Sequence, residues 1–285
     1  MKRILILILL LPFSYIASIV TIQAQSPKGK LFIIGGGDKP PEMLKRIIDE
    51  SGISSGGYAV ILPMSSSEPE ASALYAKDLF VEAGLENIFA INCSLENVNS
   101  PAKADSIRHA GLVYITGGDQ ARFMDIVAGS EVEKAIHGAY ENGALIAGTS
   151  AGAALMSKIM ITGNQLKFPD YTATFSVIET DNIETREGLG LIPEVIIDQH
   201  FLIRSRHNRL ITAILQFPGT KGIGIDESTA ILVTGYHAEV IGLSQVLVYT
   251  PSSRKVKNHN GKLGADNIRL DIYMAGESFS IKGRH

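Results

Sequence analysis

The sequence predicts an α/β fold: a mostly parallel sheet flanked by helices, with β-hairpins toward the C-terminus. Three observations predict it. From Lys30 to Ile197, short apolar runs alternate with stretches that carry apolar residues at helical spacing. Glycine clusters stand directly after two of those runs. Beyond Leu210 the texture changes to β-branched runs separated by turn residues.

The strands are expected at Leu31–Ile34, Tyr58–Leu62, Ile88–Ile91, Leu112–Ile115, Leu145–Ala147 and Glu194–Ile197. The intervening segments Pro41–Ser51, Glu70–Ala83, Ala102–His109, Gln120–Val127, Glu131–Asn142 and Ala153–Met160 are expected to be helices. Gly35-Gly36-Gly37 and Gly117-Gly118 fit tight turns at the carboxyl edge of a sheet, where open α/β folds hold their ligand sites. Gly222–Val233 and Ala238–Tyr249, divided by Thr234-Gly235-Tyr236-His237, begin a series of strands and hairpins that runs to about Ile281. No linker composition and no internal repeat interrupts residues 25–285, so one domain is expected there.

The N-terminus departs from this texture. Lys2-Arg3 precedes an apolar stretch from Ile4 to Val20, and Ile22-Gln23-Ala24 ends on a small residue before polar Gln25-Ser26-Pro27. That pattern predicts a signal peptide over residues 1–24 and an exported chain, periplasmic or extracellular, free of the membrane after cleavage. An uncleaved anchor is the rival reading, against which Pro12 interrupts the stretch. Cys93 is the single cysteine, so no internal disulfide can form, and its apolar setting predicts a buried structural role. A net charge of −3, with acids and bases interspersed, gives no electrostatic case for nucleic acid.

Gly148-Thr149-Ser150-Ala151-Gly152 is a G-x-S-x-G sequence in the context that gives it meaning. A strand enters it and a helix leaves it, so the serine hydroxyl is expected on a sharp turn above the sheet edge. The small residues relieve crowding there, and the helix N-terminus favours a developing oxyanion. Ser150 is therefore the candidate nucleophile. The N–H groups of Ala151 and of Gly118, in the loop after the preceding strand, are the candidate oxyanion donors. A phosphate-binding turn is the bland alternative, but the glycine pattern and Lys-Ser/Thr pair of such loops are missing.

Serine needs a base, and seven histidines compete. His200 follows the apolar run Val195-Ile196-Ile197 at a carboxyl strand end, which lets it face the serine across a crevice. The acid that orients the imidazole is left open by spacing alone, since Asp170, Glu179, Glu184 and Glu187 all fall between serine and histidine. Asp198, two residues before His200, can share its face as a substrate anchor. Arg204, Arg206 and Arg209 lie just beyond, and their forked guanidinium groups suit a carboxylate-bearing substrate better than a solvated helix face. No metal or other cofactor is expected, because the histidines and acids lack ligand spacing.

Thr116-Gly117-Gly118-Asp119-Gln120, Gly148-Thr149-Ser150-Ala151-Gly152-Ala153, Asp198-Gln199-His200-Phe201 with the three arginines, and Gly224-Ile225-Asp226-Glu227 together resemble the cyanophycinases, in the serine peptidase family that also holds dipeptidase E. The resemblance spans nearly all of the chain after the leader. It implies a class I glutamine amidotransferase-like fold and hydrolysis of an arginylated polyaspartate to β-Asp-Arg. It also implies Ser150 as nucleophile, His200 as base, and Gln120, Asp198, Gln199, Arg204, Arg206 and Arg209 as the substrate pocket. It places the acid after the post-nucleophile helix, before a Trp-Pro pair, where this chain reads Gln165-Leu166-Lys167-Phe168-Pro169. Lys167 stands at that point, so a replacement acid is expected from Asp170–Glu187, with Glu179 preferred. The alternatives carried forward are an aspartyl dipeptidase and a non-catalytic binder that has lost its acid. The reading allows a homodimer.

Overall fold

The computed structural model describes residues 29–170 and 172–282, so the proposed leader lies outside the described residues. The first half of the chain is a run of β-α units: β1 Lys30–Ile34, α1 Pro41–Ser51, β2 Ala59–Leu62, α2 Pro69–Glu82, β3 Ile88–Ala90, α3 Pro101–Arg108, β4 Leu112–Ile115, α4 Gln120–Val127, α5 Glu131–Glu141 and β5 Leu145–Thr149. Proline opens each of the first three helices, where its missing N–H costs no bond and its fixed φ suits the first turn. Asp119 and Ser130 cap the next two by accepting from backbone N–H groups of the first turn. Helix α1 buries Met43, Leu44, Ile47 and Ile48, the stripe its spacing predicts, and stops at Gly52 in the left-handed region.

After β5 the pattern loosens. A single helical turn, α6 Ala151–Ala154, leads into β6 Ile159–Gln165, which pairs antiparallel with β7 Ile183–Glu187; β8 Val195–Gln199 and α7 His207–Gln216 follow. The helix expected over Ala153–Met160 is thus four residues long and lies earlier. Ile159 and Ile161 go instead into a β-pair, the geometry β-branched residues favour. The remainder is β9 Lys221–Ile225, β10 Thr229–Thr234, β11 His237–Gly242, β12 Gln245–Pro251, β13 Lys257–His259, β14 Lys262–Gly264, β15 Ile268–Met274 and β16 Ser278–Ser280.

These strands form a main sheet of eight, in the order β16-β11-β10-β1-β5-β4-β2-β3, and a second sheet of four, β15-β12-β9-β8. From β1 through β5, β4 and β2 to β3 the main sheet is parallel; β10, β11 and β16 extend it antiparallel. The C-terminal hairpins expected from the sequence are therefore divided between these two sheets, with β13 and β14 pairing as a separate ribbon. Strand β8 was expected among the parallel strands of the main sheet, and it pairs parallel with β9 in the second. One apolar cluster joins the two, taking Leu31, Ile33 and Ile146 from the main sheet and Ile197, Ile223 and Val246 from the other. Cys93 is buried, as expected. The carboxyl ends of β1, β5, β8 and β9 converge on one another, as hydrogen bonds between the residues that follow them make plain.

Candidate active site

Ser150 follows β5 directly and holds φ 54 and ψ −109, outside the regions open to L-residues. Such a conformation costs on the order of 1–3 kcal/mol and persists only where its surroundings enforce it. Here the Ser150 N–H donates to the Ile34 carbonyl at 3.0 Å, tying the turn to the end of β1. The turn is so tight that a Cβ on Gly148 would lie 2.3 Å from the Gly152 carbonyl oxygen. With only one helical turn behind the serine, the oxyanion argument rests on individual N–H groups rather than on a long helix dipole.

His200 follows β8 in the same manner, with φ 47 and its N–H on the Gly35 carbonyl at 2.7 Å. Its Nε2 meets the Ser150 Oγ at 2.8 Å, joining residues fifty positions apart in sequence and two different sheets in space. Its Nδ1 meets the Glu227 Oε1 at 2.5 Å. Glu227 follows β9, and the Ser228 N–H on the Gly36 carbonyl, at 2.8 Å, fixes that loop to the same backbone. Gly36 takes φ +114, and a Cβ there would sit 2.3 Å from the imidazole Cε1, so the ring lies flush against bare backbone. Burial pushes the His200 imidazole below its usual pKa, against the upward pull of the Glu227 hydrogen bond, and the Arg204 and Arg206 charges push it lower still. A neutral ring at physiological pH is the form a general base requires.

The carboxylate at the histidine is thus Glu227, and the expectation for Glu179 is corrected. Glu179 pairs with Lys262 and, at 3.7 Å, with Lys167, the very residue that stands where the resemblance placed the acid. Glu184 is taken up by Thr162 and Asn164, and Asp170 and Glu187 are exposed. The neighbouring Asp226 fixes the histidine loop. Its Oδ1 accepts from the Leu202 and Ile203 N–H groups at 3.0 Å, and its Oδ2 from the Ser244 hydroxyl.

On one side of Ser150 lies a cavity of about 190 Å³ walled by Gly118, Gln120, Asn164, Gln199, Arg204, Arg206 and Arg209 among others. The N–H groups of Gly118 and Ala151 make no hydrogen bond among the described residues, so both are available as donors beside the serine. Of the three arginines, Arg209 is already neutralised: it is buried and grips Asp198 with Nε and Nη2. Asp198 also accepts from the Gln199 N–H and is not part of the cavity wall, so the substrate anchor expected there proves to be a counter-ion behind it. Arg206 is buried and bonds the Gln199 backbone and side-chain carbonyls. Arg204 alone of the three is half-exposed, and its guanidinium has no partner among the described residues. Gln120 gives its amide N–H groups to the Ile161 and Thr162 carbonyls, which leaves its carbonyl oxygen to face the cavity. Among the described residues no cluster of histidine, cysteine and acidic side chains could hold a metal ion.

The chain matches peptidase family S51 over residues 66–241. It belongs to that family. Ser150, His200 and Glu227 all fall inside the matched span, and S51 members are serine peptidases. Within S51, the chain is similar to the cyanophycinase of Trichormus variabilis (strain ATCC 29413 / PCC 7937), 33% identical over 91% of this chain and 88% of the relative. It is also similar to the cyanophycinase of Geminocystis herdmanii (strain PCC 6308), 30% identical over 90% of this chain and 94% of the relative. Among solved structures, a peptidase from an acI-B1 actinobacterium superposes with a TM-score of 0.63 at 22% identity, over 88% of this chain and 96% of that one. A peptidase E-type protein from Listeria monocytogenes EGD-e gives 0.51 at 17% identity, over 76% and 99%. At those identities the structures bear on the fold alone, and they share its α/β architecture.

Proposed function

We propose that this S51 peptidase hydrolyses an arginylated polyaspartate of the cyanophycin type, releasing β-Asp-Arg through an acyl-enzyme. The observation that carries the chemistry is the 2.8 Å contact between the Ser150 Oγ and a His200 whose other nitrogen meets Glu227. The Ser150 oxygen attacks the peptide carbonyl while His200 Nε2 takes its proton. The carbonyl oxygen becomes an oxyanion between the Gly118 and Ala151 N–H groups, and His200 then returns the proton to the departing nitrogen. Water, deprotonated by the same imidazole, cleaves the ester and restores the serine. Glu227 holds the tautomer and balances the imidazolium, and Arg204 is the guanidinium free to meet a substrate carboxylate.

The choice of polymer is supported by the cyanophycinases at 28–33% identity. The arginine cluster supports it less than the sequence suggested, because Arg209 has an internal counter-ion. With Arg204 as the open cation, an aspartyl dipeptidase that reads one carboxylate is the second reading. The non-catalytic alternative rested on a missing acid, and Glu227 removes that ground. Export by a signal peptide over residues 1–24 and a homodimeric assembly belong to the same proposal.

A fluorophosphonate should label Ser150 in the wild type and fail on Ser150→Ala, and incubation with cyanophycin should yield β-Asp-Arg. No labelling would refute the chemistry. Labelling with turnover of aspartyl dipeptides but not of the polymer would refute the substrate.

A further inference from the structure

A second cavity, of about 170 Å³, opens on the other side of Ser150, with Gly36, Gly37, Lys39, Tyr75, Gly117 and His200 in its wall. The two cavities are not equivalent. The departing nitrogen must receive its proton from the His200 Nε2, so the leaving group has to lie against the imidazole. His200 walls this second cavity and not the first, whereas Gly118, one of the two free donors, walls the first. The acyl portion of the substrate therefore belongs with the arginines, and the leaving group with Lys39.

Lys39 is the one lysine or arginine in the wall of this leaving-group cavity. It is half-buried, and burial pushes its ammonium below the usual lysine range, against the nearby charges of Asp38 and Glu227. One donor is spent on the Gly37 carbonyl at 2.8 Å. No carboxylate lies within ion-pair distance of it among the described residues, which leaves donors facing the cavity and a charge that Asp38 and Glu227 offset only from farther away. A partly desolvated cation without a contact ion pair gains more from an incoming anion than an exposed one does. Gly36, Gly37 and Gly117 leave that path clear of side chains.

We propose that Lys39 is a specificity-determining residue that recognises a carboxylate on the leaving group. The assignment rests on the peptidase reading of Ser150 and His200 and adds to it what the departing half of the substrate must carry. In a unit cut from an arginylated polyaspartate, the α-carboxylate of the departing aspartyl residue is the group in question; in a dipeptide it is the C-terminal carboxylate.

The test compares free and amidated leaving groups. Two substrate pairs are run on wild type, Lys39→Met and Lys39→Arg: a dimer of β-Asp-Arg with the departing aspartyl α-carboxylate free or as the carboxamide, and Asp-Leu against its C-terminal amide. The expected wild-type result is a preference for the free acid of about tenfold or more in kcat/KM, in whichever pair is turned over, as a charge-assisted hydrogen bond would give. Lys39→Met should bring that ratio close to one, and Lys39→Arg should keep most of it. Because each ratio is taken within one protein preparation, a general loss of activity or stability cancels. An equal fall on both members of a pair would mean that Lys39 only tunes Glu227, and would overturn the assignment. So would a wild type indifferent to amidation, or a Met variant that still discriminates. Failure of fluorophosphonate to label the wild type would overturn the peptidase reading and this assignment together, whereas labelling with an unchanged ratio sinks the assignment alone.

Discussion

Replacing Glu227 by Gln keeps a side-chain carbonyl near the His200 Nδ1 and removes the charge. The charge matters when the imidazole becomes imidazolium, as the serine proton moves across the 2.8 Å contact. With charge centres about 4 Å apart and an effective dielectric of about 20, that interaction amounts to about 4 kcal/mol. The Glu227 side chain is 36% exposed, so water screens part of it, and about 3 kcal/mol is the fairer figure. At about 1.4 kcal/mol per decade, Glu227→Gln should cost roughly two orders of magnitude in kcat. The assay is initial rate on the preferred substrate, with the second-order rate of fluorophosphonate labelling as a check independent of substrate. Glu179→Gln is the control. It alters a carboxylate held by Lys262 and Lys167, and none of these three residues lines either cavity at Ser150, so its kcat/KM should stay within about twofold of wild type. A Glu227→Gln enzyme that kept a third of its rate, or a Glu179→Gln enzyme that lost most of it, would refute the assignment of the acid.

The remaining predictions follow from the same geometry. Because burial depresses the His200 pKa and the neutral ring is the base, activity should be full at neutral pH and be lost on acidification through a midpoint below 6.5, read from kcat/KM against pH. Arg204→Ala removes a charge that holds that value down, so the midpoint should move up while KM rises; a downward move would contradict the sign. Gly36→Ala places a methyl 2.3 Å from the imidazole Cε1 at φ +114, and the forced shift of the ring should lower kcat by about a hundredfold or more, compared at a temperature where thermal melting shows the variant folded. Asp198→Ala leaves the Arg209 guanidinium buried without its counter-ion, and urea unfolding should show a loss of about 3–5 kcal/mol; a loss below about 1 kcal/mol would mean that the pair is replaced by water.

Ser150 and His200 were legible because each obeys a local rule. A strand that runs into Gly148-Thr149-Ser150-Ala151-Gly152, and an apolar strand followed directly by His200, both deliver a polar side chain to a carboxyl edge. Glu227 obeys the same rule, since it stands just beyond the β-branched strand β9 in Gly224-Ile225-Asp226-Glu227. Sequence reasoning misses it because four acids between serine and histidine, Asp170, Glu179, Glu184 and Glu187, compete for the role, while Glu227 lies beyond the histidine. Nothing in the chemistry requires that order, and treating every carboxyl strand end alike would have found it. The helices that begin with Pro41, Pro69 and Pro101 were legible because their start signals are local. The division into two sheets was not, because the pairing of Asp198 with Gly224 is a contact across sequence that composition does not encode. The same holds for the arginines. The cluster shows in the sequence, but only the fold reveals that Asp198 has already claimed Arg209.

Within the four-residue stretch Ile34–Gly37, the carbonyls of Ile34, Gly35 and Gly36 receive the main-chain amides of Ser150, His200 and Ser228 in turn. The distances among nucleophile, base and acid are therefore referred to one short ruler rather than to the spacing between the two sheets. Slow breathing of one sheet against the other can change the width of the cavities without lengthening the proton path. Substrate entry and proton transfer can in this way be tuned independently of each other.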